Sequence, residues 1–498
     1  MHLANKKSVG LDSVNTFILK LSLPYIVESL TYVYNLCIKT SIFPTVWKSA
    51  KVVPIFKPKT FDPTNVANYR PISILPTLSK PLERHIHTHV TKFMENHRLF
   101  HPHQSGFRQF HSCHTALTRL CDTWLSAINK REMAGAVFLD LKKAFDLVNH
   151  GILCSKLNLY LQNEATTKLL GSFLENRTQK VYVNGDYSKL GHVTCGVAQG
   201  SILGPLLFCI FINDLPLYIT KKVLCDLFAD DGTLHAKAKT VGQLKTKLQA
   251  NLNTVVQWCL DNKMILNERK TVSMVITTRQ KHQRKPLILN LKIGNSKINQ
   301  VDSHDVLGVT IDKCLRWHLH IDKVCSIVTK NLYLLSKLKP YVGKEARKLF
   351  FTAHCLSHMN YASTVWSSAD EVHLIRLNSL HRRGAKLIIT DTGMSTDEKL
   401  KTAGILSLQD QFNLNTTVLV YKVMHSLAPA YLHEFLLKPT ERYNSGNLLA
   451  PKVRIDLYKT SFSFTGSSAW NSLPSGVRAR RTLPSFKSAA RRHYVQLP

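Results

Sequence analysis

Residues 226–235 read DLFADDGTLH, with Asp230 and Asp231 side by side directly after Leu227, Phe228 and Ala229. Carboxylates are scarce in this chain: 66 Lys and Arg stand against 32 Asp and Glu, a formal charge of +34 over 498 residues. Asp and Gly favour turns, so ADDG alone reads as a hairpin tip between two strands, with Asp-Gly as the hairpin signal. Asp140 changes that reading. It ends the apolar run AGAVFLD (134–140), a short buried strand. A carboxylate leaving apolar shelter there costs free energy unless a cation compensates it. If the two strands are neighbours, Asp140, Asp230 and Asp231 meet above one end of a sheet. Their mutual repulsion is reversed by divalent cations, and clustered oxygen ligands suit Mg²⁺.

The rest of the composition is consistent with such a niche. The length allows roughly two to four domains, and an apolar fraction of 44% argues for a folded chain. The excess of positive charge points to a polyanionic partner. The longest apolar run, ILGPLLFCIFI (202–212), falls short of the roughly 18 residues a membrane span needs. MHLANKKSVG at the start has no signal-peptide character. The eleven cysteines form no CxxC pair, which suits reduced thiols inside a cell, nucleus and cytoplasm being equally open. HSCH (111–114) lacks Cys or His partners at finger spacing and reads as structural. No membrane or protein partner is legible.

Along the chain, KVVPIFKPKTFDPTNVANYRPIS (51–73) alternates short strands with turns, and HPHQSGFRQFHS (101–112) is a polar loop leading into a helix. CGVAQGSILGPLLFCIFINDL (195–215) is a glycine-bearing loop feeding an apolar helix. Leu244, Leu248, Leu252, Val255, Val256, Cys259 and Leu260 recur at helical spacing. Strands follow at TVSMVITT, LILNLKIG and DVLGVTID, then basic helical text from about residue 313, where TDTGMSTDEK reads as polar loop. The order β–α–α–β–β–α–β predicts an α+β sheet with helices on one face.

The stretches LDLKKAFDLVNH, GVAQGSILGPLLF, FADD, LNERKT and VLGVTID occur in the order of motifs A to E of reverse transcriptases, worded like those of non-LTR (LINE-type) retrotransposons. NYRPISILPTLSKPLERHI and HQSGFRQFHSCHTAL resemble the family's fingers segments, and AWNSLPSGVRARRTLPSFK its C-terminal tails. The resemblance implies a right-hand polymerase fold: an N-terminal helical extension (1–45), fingers and palm (46–312), a helical thumb-like region (313–400) and a basic C-terminal region (401–498). It implies RNA-directed DNA synthesis from a primer 3′ end, with Mg²⁺ (Mn²⁺ as a possible substitute), an RNA template, a DNA primer or nicked target, and dNTPs.

Carried across by residue, Asp140 and Asp230 resemble the metal-binding carboxylates, and Asp231 completes the triad. Phe145 stands at the aromatic sugar gate, with Gln199 and Gly200 beside the incoming base. Arg70 and Arg108 stand where basic side chains meet phosphate. Lys270 matches the donor to the pyrophosphate leaving group, and Leu307 and Gly308 the turn that grips the primer. Asp146 reads as a helix-start residue. Gly232 replaces the family's common Thr, Ser or Asn and is expected to loosen the hairpin tip. Fingers-like text begins at Gly10, so no endonuclease is expected ahead of it; the chain resembles a 5′-truncated copy or one whose start is set inside the open reading frame. Two other readings stand beside the polymerase: a silent relic that only binds nucleic acid, and a group II intron maturase-like splicing factor, for which no maturase segment is found. The acid-free stretch 457–498 reads as a phosphate-contacting surface or a solvated tail.

Overall fold

The computed structural model describes residues 8–57, 62–436 and 446–496. In chain order the elements that frame the site are α1 (Thr16–Thr40), β1 (Ser49–Phe56), β2 (Tyr69–Ile74), α2 (Ser79–Asn96), α3 (Cys113–Asn129), β3 (Met133–Leu139), α4 (His150–Leu161), α5 (Glu164–Leu174), β4 (Arg177–Val183), β5 (Asp186–Tyr187), β6 (Gly191–Val193), α6 (Leu203–Ile212), β7 (Val223–Phe228), β8 (Asp231–Ala238), α7 (Val241–Asp261) and β9 (Val272–Ile276).

They build two sheets. The first runs β2-β1-β4-β5, with β6 also on β4, and β1 and β4 are parallel. The second places β3 at its centre: β9 and β8 flank it antiparallel, β7 lies outside β8, and the strand Asn299–Gln300 joins β9 in parallel.

Every residue of β3 is buried. Side chains alternate across a strand, so Met133, Val137 and Leu139 join the core under α6 and α7. Ala134, Ala136 and Phe138 join a second core against α3, where Trp124 meets Phe138 edge-on at 6.5 Å. The sheet is therefore covered by helices on both faces, not on one as expected. The unbroken apolar run AGAVFL is the physical signal, because a strand with two buried faces loses its polar alternation. α6 is likewise buried all round except at Pro205, as a core helix must be.

α3 starts with a reciprocal cap, the Ser112 side chain accepting from Thr115 N–H and Thr115 from Ser112 N–H. HSCH thus supplies a helix start. Beyond residue 312, the helices His318–Leu338 and Glu371–Ile388 bury Trp317, Val328, Leu377 and Ile388 in the same core as Trp124 and Phe138. TDTGMSTDEK is only partly loop: Ser395 and Glu398 form a capping box that opens the helix Thr396–Ala403. That Ser-x-x-Glu spacing was the overlooked signal.

After residue 400 the chain forms a third core, with Val420, Tyr421, Leu432, Phe462, Trp470 and Phe486 buried. The stretch 457–496 is accordingly folded, and its last helix, Leu483–Gln496, contributes Phe486 and Ala490 to this core. Among the described residues no helix is long and apolar enough to cross a membrane.

Candidate active site

The three carboxylates leave the central sheet at one end. Leu139 pairs with Gly232 and Phe228 with Asp231, so Asp140 follows β3 where Asp231 opens β8. By strand alternation Asp140 and Asp231 share the α3 face with Phe138 and Thr233. The turn joining β7 to β8 is Ala229–Asp230, with Ala229 in the left-handed region at φ 56°. This corrects the expected Asp-Gly tip. Gly232 lies inside β8, where a Cβ would stand 3.2 Å from Leu139 Cδ1, so it packs the sheet and does not loosen the turn.

Burial pushes the Asp231 carboxyl up to about 6, helped by the charges of Asp230 and Asp140. Asp231 is open to solvent at its own surface yet lies deep among protein atoms. Asp230 is also raised, by burial first; Asp140 adds to the rise and Arg70 opposes it. A basic arc faces the acids. Burial lowers the Lys57 ammonium, Lys270, Arg70 and Lys143 lower it further, and Asp140 pulls the other way. Arg70 is exposed on β2 and Lys270 on the turn after Asn267. Lys57 and Lys143 were not singled out from sequence, where isolated lysines read as surface.

The LNERKT stretch does more than present Lys270. Asn267 N–H donates to Asp140 O at 2.7 Å, its side-chain amide donates to Asp140 Oδ2 at 2.8 Å, and Thr271 Oγ1 accepts from Asp140 N–H at 3.3 Å.

A second clamp holds the turn. Residues 103–106 run along β7, with Leu227 N–H donating to His103 O at 2.9 Å and Ser105 N–H to Leu227 O at 2.8 Å. The fully buried Gln104 takes Gly106 N–H at 2.7 Å and Ala229 N–H at 3.2 Å on its Oε1. Gly106 must lack a side chain: a Cβ there would lie 2.2 Å from Ala229 N. Gly106→Ala is expected to shift the turn and cut any catalytic rate of this site by about 10²-fold, the scale of an ångström-sized misplacement. Steady-state kinetics beside a melting curve would check it. Activity close to the parent protein's would show the turn is not held this way.

Under the turn lies a buried ion cluster. Burial alone would raise Asp226, but Arg119 Nε at 2.8 Å, His235 Nε2 at 2.5 Å and His103 outweigh it and hold the carboxyl at about 2. The Arg119 contact is an ion pair in poor alignment for a hydrogen bond. Arg119 Nη2 also meets His103 Nε2 at 2.7 Å. Nothing in DLFADD marks Asp226 for this role without the fold.

Phe145 sits in a run of turns after Asp140, stacked on Phe208 at 4.4 Å and edge-on to Phe107 at 6.3 Å. Phe107 is itself exposed at φ 56°, an uncommon backbone for an aromatic. Asp146 starts no helix, because Asn149 caps α4. It accepts the Gln199 amide at 2.8 Å. Gly200, at φ 132°, is required by a different neighbour than expected: a Cβ would fall 2.2 Å from Ser73 O of β2, and Ser73 N–H donates to Gln199 O at 2.7 Å. The loop and β2 are thereby locked together. Arg108 is largely spent inside the protein. It forks onto Glu95 at 2.8 and 2.9 Å and donates to the His101 and Gln104 carbonyls, a latch for the clamp loop in place of a free phosphate ligand.

Leu307 and Gly308 form the two-residue turn between strands Ser303–Val306 and Val309–Asp312, both at positive φ. Tyr361 Oη donates to Leu307 O at 2.6 Å. Leu307, Phe228, Asp231 and Arg119 line one small recess, which brings the turn next to the carboxylates.

The reverse transcriptase (RNA-dependent DNA polymerase) family model matches residues 55–311, which contain the whole second sheet, the first sheet apart from most of β1, and the three aspartates. The chain belongs to that family. Relatives include the probable RNA-directed DNA polymerase from transposon BS of Drosophila melanogaster, 31% identical over 77% of this chain and 43% of that protein. The polymerase from mobile element jockey of the same fly is 30% identical over 64% and 35%. This reverse transcriptase chain thus spans less than half the length of these non-LTR retrotransposon relatives. Telomerase from Candida albicans, solved with a fragment of telomeric RNA, aligns over 74% of this chain and 67% of that one at 11% identity and a TM-score of 0.40, too slight a likeness to add to the assignment.

Reverse transcriptases generally depend on a divalent metal. Among the described residues no three His, Cys, Asp or Glu side chains already converge as a ligand set. The donors nevertheless suit such an ion: they are hard oxygens at the ends of adjoining strands, and the charges of Asp230 and Asp140 add to the rise at Asp231.

Proposed function

We propose that this chain extends a primer 3′ end by RNA-directed DNA synthesis. The observation that carries the proposal is the delivery of Asp140, Asp230 and Asp231 to one sheet end, with one clamp on Asp140 and a second on the turn that carries Asp230 and Asp231. Asp140, Asp230 and Asp231 would hold a pair of Mg²⁺ ions, which when bound activate the primer hydroxyl and neutralise the leaving pyrophosphate. Around them Arg70, Lys57 and Lys143 offer cations to the triphosphate, and Lys270 is placed to protonate the departing group. The turn Leu307–Gly308 supports the primer end. Gln199, braced by Asp146, and the Gly200 backbone shape the side of the pocket toward the incoming base. The RNA template, the DNA primer and dNTPs are the partners this reading requires.

Purified chain given a primed RNA, dNTPs and Mg²⁺ should lengthen the primer. RNA binding without extension would instead mark a silent relic. Added Mg²⁺ is expected to raise the melting temperature, since a ligand bound only to the folded state stabilises it, and the rise should vanish in Asp231→Asn. An equal rise in both proteins would remove Asp231 from the metal site.

Phe145 serves as the sugar gate. Its ring stacks on Phe208, which favours one orientation of the gate. Phe145→Ala should increase ribonucleotide incorporation relative to deoxynucleotide by about 10–200-fold, the range a steric pocket discriminates. An unchanged ratio in competition assays would refute the gate.

A further inference from the structure

The family match ends at residue 311, yet α3, the helix beneath the carboxylates, is fastened along its length by residues beyond 430. Asn129 donates to Lys452 O at 2.9 Å and accepts the Arg454 and Ile455 N–H groups. Asp122, fully buried, accepts Phe462 N–H and Ser463 N–H at 2.8 Å and so anchors the start of the helix Phe462–Asn471. At the end of α3 nearest the clamp loop stands Tyr431. Its hydroxyl lies 3.0 Å from Ser105 Oγ and 3.4 Å from Thr115 Oγ1, and its ring packs 4.9 Å from the Arg119 guanidinium.

Both of Tyr431's main contacts lead to the same place. Ser105 is hydrogen-bonded through its backbone to Leu227, and its neighbour Gln104 holds Ala229 N–H. Arg119 carries the buried charge of Asp226, three residues before Ala229. Tyr431 is itself buried at 6% exposure, so these contacts are shielded from water.

We infer that Tyr431 is a positioning residue for the carboxylate turn, and that the C-terminal helical unit completes the active site from behind. The inference rests on the polymerase reading for its kinetic consequence. Its structural consequence stands without it. The Tyr431 hydroxyl holds Ser105, its ring holds Arg119, and the turn inherits the rigidity of both.

The test uses the full chain. Tyr431→Phe keeps the ring against Arg119 and removes only the hydroxyl. Expected is a fall in kcat on the order of tenfold, the scale of one buried hydrogen bond, with the KM for dNTP nearly unchanged and the melting temperature lower by only a few degrees. Ser105→Ala should give a similar fall, and the double variant should be no worse than either single, because both remove one contact. Wild-type kcat in Tyr431→Phe, or effects that multiply, would overturn the inference. Amide exchange provides a readout that needs no catalysis: Tyr431→Phe should speed exchange at Ser105 and Leu227 several-fold. Unchanged exchange there would also overturn it, whereas faster exchange in a chain that cannot extend primers would uphold the positioning role and count against the polymerase reading alone.

Discussion

Asp230→Asn is expected to abolish detectable primer extension, a loss of at least about 10²–10³-fold, while leaving the protein as stable as before or more so. Asparagine keeps the shape of the side chain and removes its charge. In the bare protein that charge is a liability, because after burial it is Asp230, with Asp140, that pushes the Asp231 carboxyl up. Relieving the repulsion should leave the melting temperature level or higher. Catalysis, however, needs that negative charge to gather cations where charge develops during phosphoryl transfer, and removing one such preorganised group has an effect of this order. The two signs together make the result diagnostic. A variant that loses activity and stability in parallel would mean the turn had merely unfolded. One that keeps both would remove Asp230 from the chemistry.

Asp226→Asn should behave in the opposite way, with stability falling first. It leaves Arg119 buried without its counter-charge, and breaking a buried pair from one side typically costs about 3–5 kcal/mol. Against a usual total of about 5–15 kcal/mol this is a large share. The pH dependence has a definite sign. The folded carboxyl is held at about 2, below the ordinary 3.8, so its contribution is complete above roughly pH 4 and is lost as pH falls through 2. The difference in unfolding free energy between wild type and Asp226→Asn should therefore shrink on acidification below pH 4 and stay flat above it. Chemical denaturation at several pH values measures this. A gap that widens toward acid would show that Asp226 is not the stabilised partner.

The chain's catalytic vocabulary was readable without a structure because it is local. FADD, Asp140 at the end of an apolar run, and the loop with Gln199 and Gly200 are each defined by neighbours a few residues away. What failed to show were roles set by distant partners. Arg108 looked like a phosphate ligand until Glu95 was found in its fork. Gly200 looked like a seat for a nucleotide, and its immediate constraint is Ser73. Gly232 looked like turn and is strand, because the left-handed residue that makes the turn is Ala229, a type not usually found there.

From sequence alone, the short-range facts were determined: an α+β fold, which carboxylates its central sheet presents, and a basic chain suited to nucleic acid. Only the tertiary structure decided what surrounds those carboxylates: helices on both sheet faces, the Gln104–Gly106 clamp, the Asp226–Arg119 cluster and the C-terminal unit fastened to α3. The physical reason is range. Strand, turn and motif identity follow from backbone preferences and spacing within a few residues. A buried charge or an obligatory glycine is determined by whichever atoms folding brings against it, and Arg119 against Asp226, Ala229 against Gly106 and Ser73 against Gly200 each lie more than a hundred residues away in sequence.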